Sequence, residues 1–133
     1  MRSKLKEFGR DDIEVKSAGT GTMDGMEPTF ETISVMRLDG INVASHRSAV
    51  LTDSMIRKAG LILVMENMHR REIIRRVSEA REKTALLTCY GRAPGEIDPK
   101  TADIADPIGR PLDDYQAIYA QIKQEIERIM YLL

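Results

Sequence analysis

The chain has 133 residues, 42% hydrophobic and 31% charged, with a formal net charge of -1, the make-up of an ordinary globular protein with room for a core. That balance gives no global attraction to nucleic acid or to an anionic membrane surface, and the longest strongly apolar run, Leu61 to Met65, is far too short to span a bilayer. One cysteine excludes an intrachain disulfide, and the charged residues after Met1 lack the apolar centre of a signal peptide, so a cytoplasmic protein is expected.

Met1 to Phe8 is charged and free of breakers, and Gly9 stands where a helix cap belongs; the segment reads as the back end of a helix. Ile13-Glu14-Val15-Lys16-Ser17 alternates apolar and polar residues, the pattern of a short strand with one buried face. Ser17 to Glu27 contains three glycines and is expected to be mostly loop. Pro28 suits a first helical turn, and the helix through Phe30, Ile33 and Met36 is expected to end near Gly40. Thr52-Asp53 offers an N-cap for a short helix stopped by Gly60. Leu61 to Met65 has no polar positions and reads as a strand covered on both faces.

Asn67 is expected to cap the next helix, which carries Ile73, Ile74 and Val77, and Thr84 to Thr88 reads as another short strand. After a Gly/Pro-rich loop, Tyr115, Ile118, Ile122, Ile126, Ile129 and Leu133 recur at three- and four-residue steps, marking a long amphipathic helix. No repeat, linker or low-complexity tract interrupts the sequence, so one domain over 1–133 is expected. Strands alternating with helices imply an α/β fold in three layers, a small parallel sheet with helices on both faces. Ligands in such folds sit beyond the carboxyl ends of the strands. The loops starting at Ser17, Glu66 and Cys89 are therefore expected at one end.

Four pieces occur in order: Ser17-Ala18-Gly19-Thr20; Gly40-Ile41 with Ser45-His46-Arg47-Ser48; Ala59 to Met65; and Asp106-Pro107-Ile108-Gly109 before the last helix. Together with the strand–helix order they resemble the low-molecular-weight protein tyrosine phosphatases. The resemblance covers nearly the whole chain and is weakest between Thr88 and Ala105. It implies hydrolysis of a phosphomonoester through a cysteinyl-phosphate intermediate, without metal or organic cofactor, on a phosphorylated protein substrate. Members of that family open with a strand running into a Cys-x5-Arg loop, whose thiolate attacks phosphorus while backbone N–H groups and the arginine hold the phosphate oxygens. The chain opens inside the helix expected after that loop, so the nucleophile is expected to be absent and these residues inactive.

Cys89 is a poor substitute. Gly95, not arginine, stands six residues after it, and the expected role is that of a small buried hydrophobe. The resemblance makes Asp106 the general acid that protonates the leaving group and then the base that activates water; local sequence alone would make it a turn residue before proline. Ser17 and His46 match positions that brace the phosphate loop; read locally, they are a strand-end turn residue and a surface histidine. His46 and His69 lack the spacing or the cysteines of a metal site. The basic run His69-Arg70-Arg71 with Arg75-Arg76 is interleaved with glutamates and reads as a solvated face. Ile108 and Gly109 replace the aromatic residues that some members place after Asp-Pro, a form similar to bacterial members that include phosphoarginine phosphatases.

In the family the first strand lies between the strands matching Ile13–Ser17 and Leu61–Met65. Without it, two edges and a groove stay open. About five apolar side chains at ~1.5–3 kcal/mol each rival the ~5–15 kcal/mol stability of a whole domain. Either a rearranged sheet with the two edges closed together, or a homodimer through them, is expected. Three functional readings stay open: a piece of a phosphatase, a non-catalytic assembly module, and a phosphate-binding module without turnover.

Overall fold

The computed structural model describes residues 1–133. Its elements run α1 Arg2–Glu7, α2 Phe30–Leu38, α3 Asp53–Lys58, β1 Ile62–Val64, α4 Asn67–Arg76, β2 Thr84–Leu86 and α5 Leu112–Ile129, with short 3-10 turns at Ser78–Lys83 and Met130–Leu132. The result is an α/β protein with a small parallel sheet. Two compact units form, one from Met1–Val50 with Pro107–Leu133, the other from Leu51–Asp106.

The second unit is a strand–helix–strand crossover, the connection that parallel strands require. β1 pairs with β2 in the register Ile62 to Thr84, Leu63 to Ala85 and Val64 to Leu86. The Leu87 N–H donates to the Val64 carbonyl at 2.9 Å and carries the pairing one bond further. The core collects Ile56 of α3, Val64, Leu86, Ile73 of α4, Val77, Ala80 and Ala102. Cys89 packs half-buried at its margin. Of the apolar run Leu61 to Met65 only Val64 is fully buried, fewer than a strand covered on both faces would show, because the sheet has two strands and two open edges.

Helix ends show how much local chemistry decides. Pro28 stands before the helix rather than in its first turn, and Thr29 caps α2, its hydroxyl accepting the Thr32 N–H at 3.2 Å. At the other end Gly40, at φ 70°, closes the helix: its N–H donates to Arg37 and that of Ile41 to Met36, the Schellman pattern that a left-handed glycine permits. Gly9, at φ 66°, closes α1 in the same way. Thr52 caps α3 as expected. Gly60 does not stop that helix; Ala59 turns extended, and the Lys83 ammonium donates to the terminal carbonyls of Arg57 and Ala59 at 2.9 and 2.7 Å. For α4 the cap is Glu66 rather than Asn67. Its first-turn Asn67 N–H is satisfied from a distant part of the chain, by the Asp103 carboxylate at 2.9 Å.

In the first unit α2 packs against α5, and Leu5, Val35, Tyr115, Ile129 and Met130 are buried. Phe30, the first residue of α2, is exposed. Ile13–Ser17 joins no strand ladder: its side chains alternate as expected, with Ile13 and Val15 half-buried and Glu14 and Lys16 exposed, but no strand lies beside it. A groove of about 520 Å³ lies between α1, α2 and α5, its apolar floor formed by Val35, Met36, Ile41, Ile118, Ile122 and Ile126.

At the groove's rim Asp39 joins α2 to α5. It accepts from the Tyr119 hydroxyl at 2.6 Å and from the Lys123 ammonium at 2.9 Å. Lys123 and Tyr119 hold the Asp39 carboxyl below its ordinary value, while burial and the Asp39 hydrogen bond push the Tyr119 hydroxyl up to about 12. The raised tyrosine value makes this contribution to stability complete below the ordinary value of 10.0 and lost as pH climbs toward about 12. The lowered aspartate value makes its own contribution complete above the usual carboxylate range and lost on acidification.

Phenolate absorbance is therefore expected to show Tyr119 ionising near pH 12, and Asp39→Asn is expected to lower that step while burial, the larger cause, keeps it above the ordinary value. Ile56→Ala, at a site with 0% exposure, is expected to lower stability by about 2–5 kcal/mol in urea unfolding. Thr29→Ala is expected to cost only about 1 kcal/mol.

Candidate active site

Residues beyond the carboxyl ends of β1 and β2 are where an open α/β sheet presents its chemistry. After β1 the Met65 carbonyl accepts the Ile104 N–H at 2.8 Å, and Asp103 holds the start of α4. Between these bonds Ala102 and Ile104 point inward and are buried, whereas Asp103 and Ala105 are exposed. The Thr88 hydroxyl donates to the Ala102 carbonyl and pins the same segment from the β2 side. The segment 102–106 thus runs past the end of the sheet with a strand-like alternation, and it delivers Asp106, exposed, at its end. Pro107 to Arg110 then forms a turn, with the Arg110 N–H donating to the Pro107 carbonyl at 2.9 Å, and Ile108 is exposed on it.

Ser17 and His46 belong to the first unit, and both are exposed. Their loops are brought side by side. Gly19 forms an isolated parallel bridge to Val50, its N–H donating to the Ala49 carbonyl at 2.9 Å. No hydrogen bond joins Ser17 to His46; the bonds between these loops come from Gly19, Arg47 and Ser48 of the same motifs and from Asp24. The Asp24 carboxylate accepts the Val50 N–H at 2.7 Å. The Ser48 hydroxyl donates to the Met23 carbonyl and accepts the Met26 N–H at 3.0 Å. Arg47 donates to the carbonyls of Ala44 and His46 and reaches Glu27 at 3.2 Å. The Asp24-Gly25 pair, a turn signal, was the one local hint of this arrangement.

Cys89 lies in the turn that follows β2. Its N–H donates to the Leu86 carbonyl at 3.0 Å, and Arg92 spends its Nε on the Thr88 carbonyl at 2.9 Å. No three His, Cys, Asp or Glu side chains gather into a group able to hold a metal ion. No helix is long and apolar enough to cross a membrane.

A small parallel sheet with an Asp-Pro turn leaving its carboxyl end defines an α/β protein whose candidate site lies beyond the ends of its strands. The family model described as low molecular weight phosphotyrosine protein phosphatase matches residues 1–133, and the chain belongs to that family. It is 33% identical over 117 residues to a protein-arginine-phosphatase of Geobacillus stearothermophilus, covering 88% of this chain and 74% of that protein. It is 30% identical over 115 residues to a probable low molecular weight protein-tyrosine-phosphatase, EpsP, of Ralstonia nicotianae, covering 86% and 73%.

Among solved structures, the arginine phosphatase YwlE from Geobacillus stearothermophilus superposes with a TM-score of 0.81 at 33% identity, over 94% of this chain and 77% of that one. The low molecular weight protein tyrosine phosphatase from T. tengcongensis superposes at 0.86 with 26% identity, over 98% and 84%.

Because Asp24 ties its loop to the Val50 N–H, Asp24→Ala is expected to speed amide exchange at Val50 by about tenfold, the loss of a charge-assisted hydrogen bond. Exchange at Ile104, held by Met65, is expected to stay unchanged.

Proposed function

We propose that the chain serves the family's reaction, hydrolysis of a phosphorylated protein side chain, and that Asp106 is its general acid and base. The observation that carries this reading is the exposed Asp106 at the end of the segment running past the sheet, directly before Pro107, in a chain matched to the family over its full length. A family cysteine thiolate forms the S–P bond as the bond to the leaving group breaks, and Asp106 gives the leaving atom its proton. Asp106 then takes a proton from water as that water attacks phosphorus, releasing phosphate and the thiolate. Ser17 and His46 brace the phosphate loop.

These 133 residues contain no Cys-x5-Arg sequence, and by themselves they do not turn over. The substrate carries phosphate on tyrosine or arginine, the two classes named in the relatives. The aliphatic Ile108, exposed after Pro107, provides no flat aromatic wall for a tyrosine ring and favours arginine. A non-catalytic phosphate-binding or assembly module on the same fold is the second reading.

The 133-residue chain is expected to leave p-nitrophenyl phosphate intact, while a version preceded by a family strand and Cys-x5-Arg loop hydrolyses it. In that version Asp106→Asn is expected to lower kcat by about 10²–10⁴-fold. Turnover by the short chain itself, abolished by Cys89→Ser, would overturn the reading. An extended version that binds inorganic phosphate but never turns over would favour the second.

A further inference from the structure

We propose that Asp103 is a positioning residue for Asp106: its carboxylate ties the acid's segment to the start of α4 and so fixes where the Asp106 carboxyl can reach. This role rests on the assignment of Asp106 as general acid and base. α4 begins without help from its own neighbourhood. Glu66, its cap residue, makes no side-chain hydrogen bond to the helix, and no acidic residue stands in its first turn. The start of a helix carries unsatisfied N–H groups and a partial positive charge. Asp103, 36 positions from Asn67, meets both needs. One of its carboxylate oxygens accepts the Asn67 backbone N–H at 2.9 Å and the Asn67 side-chain amide at 3.1 Å.

A local cap would serve the helix alone. A cap drawn from residues 102–106 serves that segment as well, because the residues on either side of Asp103 are also held. Ala102 and Ile104, each 2% exposed, face inward. The Thr88 hydroxyl donates to the Ala102 carbonyl, and the Ile104 N–H donates to the Met65 carbonyl at 2.8 Å. Three successive residues are thereby fixed by three different neighbours: the turn after β2, the start of α4 and the end of β1. Only Ala105, exposed, separates this clamp from Asp106. Of the three bonds, that of Asp103 is the one made by a side chain of the segment itself, so it can be removed without touching the sheet.

Proton transfer depends on geometry before pKa. A general acid must come within hydrogen-bond reach of the leaving atom, and small displacements at a reacting centre cost rate steeply. Released from α4, residues 103–105 gain backbone freedom, and Asp106 is spread over more positions. Departure of a poor leaving group, which needs its proton, then slows. Departure of p-nitrophenolate, a stable anion, depends far less on the acid.

The test has two arms. In the 133-residue chain, Asp103→Ala is expected to speed amide exchange at Asn67 and Ile104 by about tenfold. Asp103→Asn, which keeps an accepting oxygen, is expected to leave both near the wild-type rate. In the version preceded by a family strand and Cys-x5-Arg loop, Asp103→Ala is expected to lower kcat/KM for phenyl phosphate by about ten- to a hundredfold. The fall for p-nitrophenyl phosphate is expected to be far smaller, and Asp103→Asn to restore the rate on phenyl phosphate. An equal fall on both substrates, which a loss of folded protein would give, overturns the proposal. So does no fall on phenyl phosphate, unchanged exchange at Ile104, or an Asp103→Asn variant as impaired as Asp103→Ala. Asp106→Asn separates the two claims: if it leaves kcat/KM for phenyl phosphate at the wild-type value, the assignment of Asp106 fails and the role of Asp103 with it. If Asp106 is required and Asp103→Ala shows no dependence on the leaving group, the positioning role alone is overturned.

Discussion

Parallel pairing of Ile62–Val64 with Thr84–Leu86 is the contact from which the second unit takes its shape. Three residue pairs form it, so it depends on what covers and closes it. Parallel strands need a crossover, here α4 and the 3-10 turn of Ser78–Lys83. That crossover supplies Ile73, Val77 and Ala80 to the core and ties itself to the strand's start through polar bonds. The Thr84 hydroxyl donates to Ala80 at 2.7 Å, and Arg70 donates to the Thr84 carbonyl at 3.1 Å. The buried polar side chains all have partners, which removes the desolvation cost that an unmatched hydroxyl in so small a core would carry.

The position of Asp106 is a consequence of that pairing. Once β1 ends, the Met65 carbonyl and the first N–H groups of α4 need partners, and Ile104 and Asp103 supply them. A backbone requirement thereby places the segment that ends in Asp106. The aspartate owes its location to the backbone needs of its neighbours, and function lives in sites grafted on folds of this kind. The relatives illustrate this: the same family contains proteins named as arginine and as tyrosine phosphatases.

In the first unit the order comes from capped helices and stitched loops. Gly9 and Gly40 end their helices, and Asp39, immediately before Gly40, reaches Tyr119 and Lys123 on α5. The loops near Ser17 and His46 are held by Asp24, Arg47 and Ser48 rather than by Ser17 or His46 themselves. The same unit holds an apolar floor between α1, α2 and α5.

The sequence by itself determined the order of the helices, the parallel α/β class, the family and the helix ends at Gly9, Gly40 and Thr52. Those properties rest on local signals: apolar periodicity in α5, glycines in left-handed caps, and the Thr52 hydroxyl beside the first N–H groups of α3. The Asp-Pro turn was legible for the same reason. Only the tertiary structure decided that Asp103 holds the start of α4, that Lys83 closes α3, and that Asp24 and Ser48 bind the loops together, because each bond joins residues at least 24 positions apart. It also decided that Ile13–Ser17, strand-like by pattern, is no strand. Alternation specifies which side chains face inward, but a strand exists only when another backbone lies beside it to complete its hydrogen bonds.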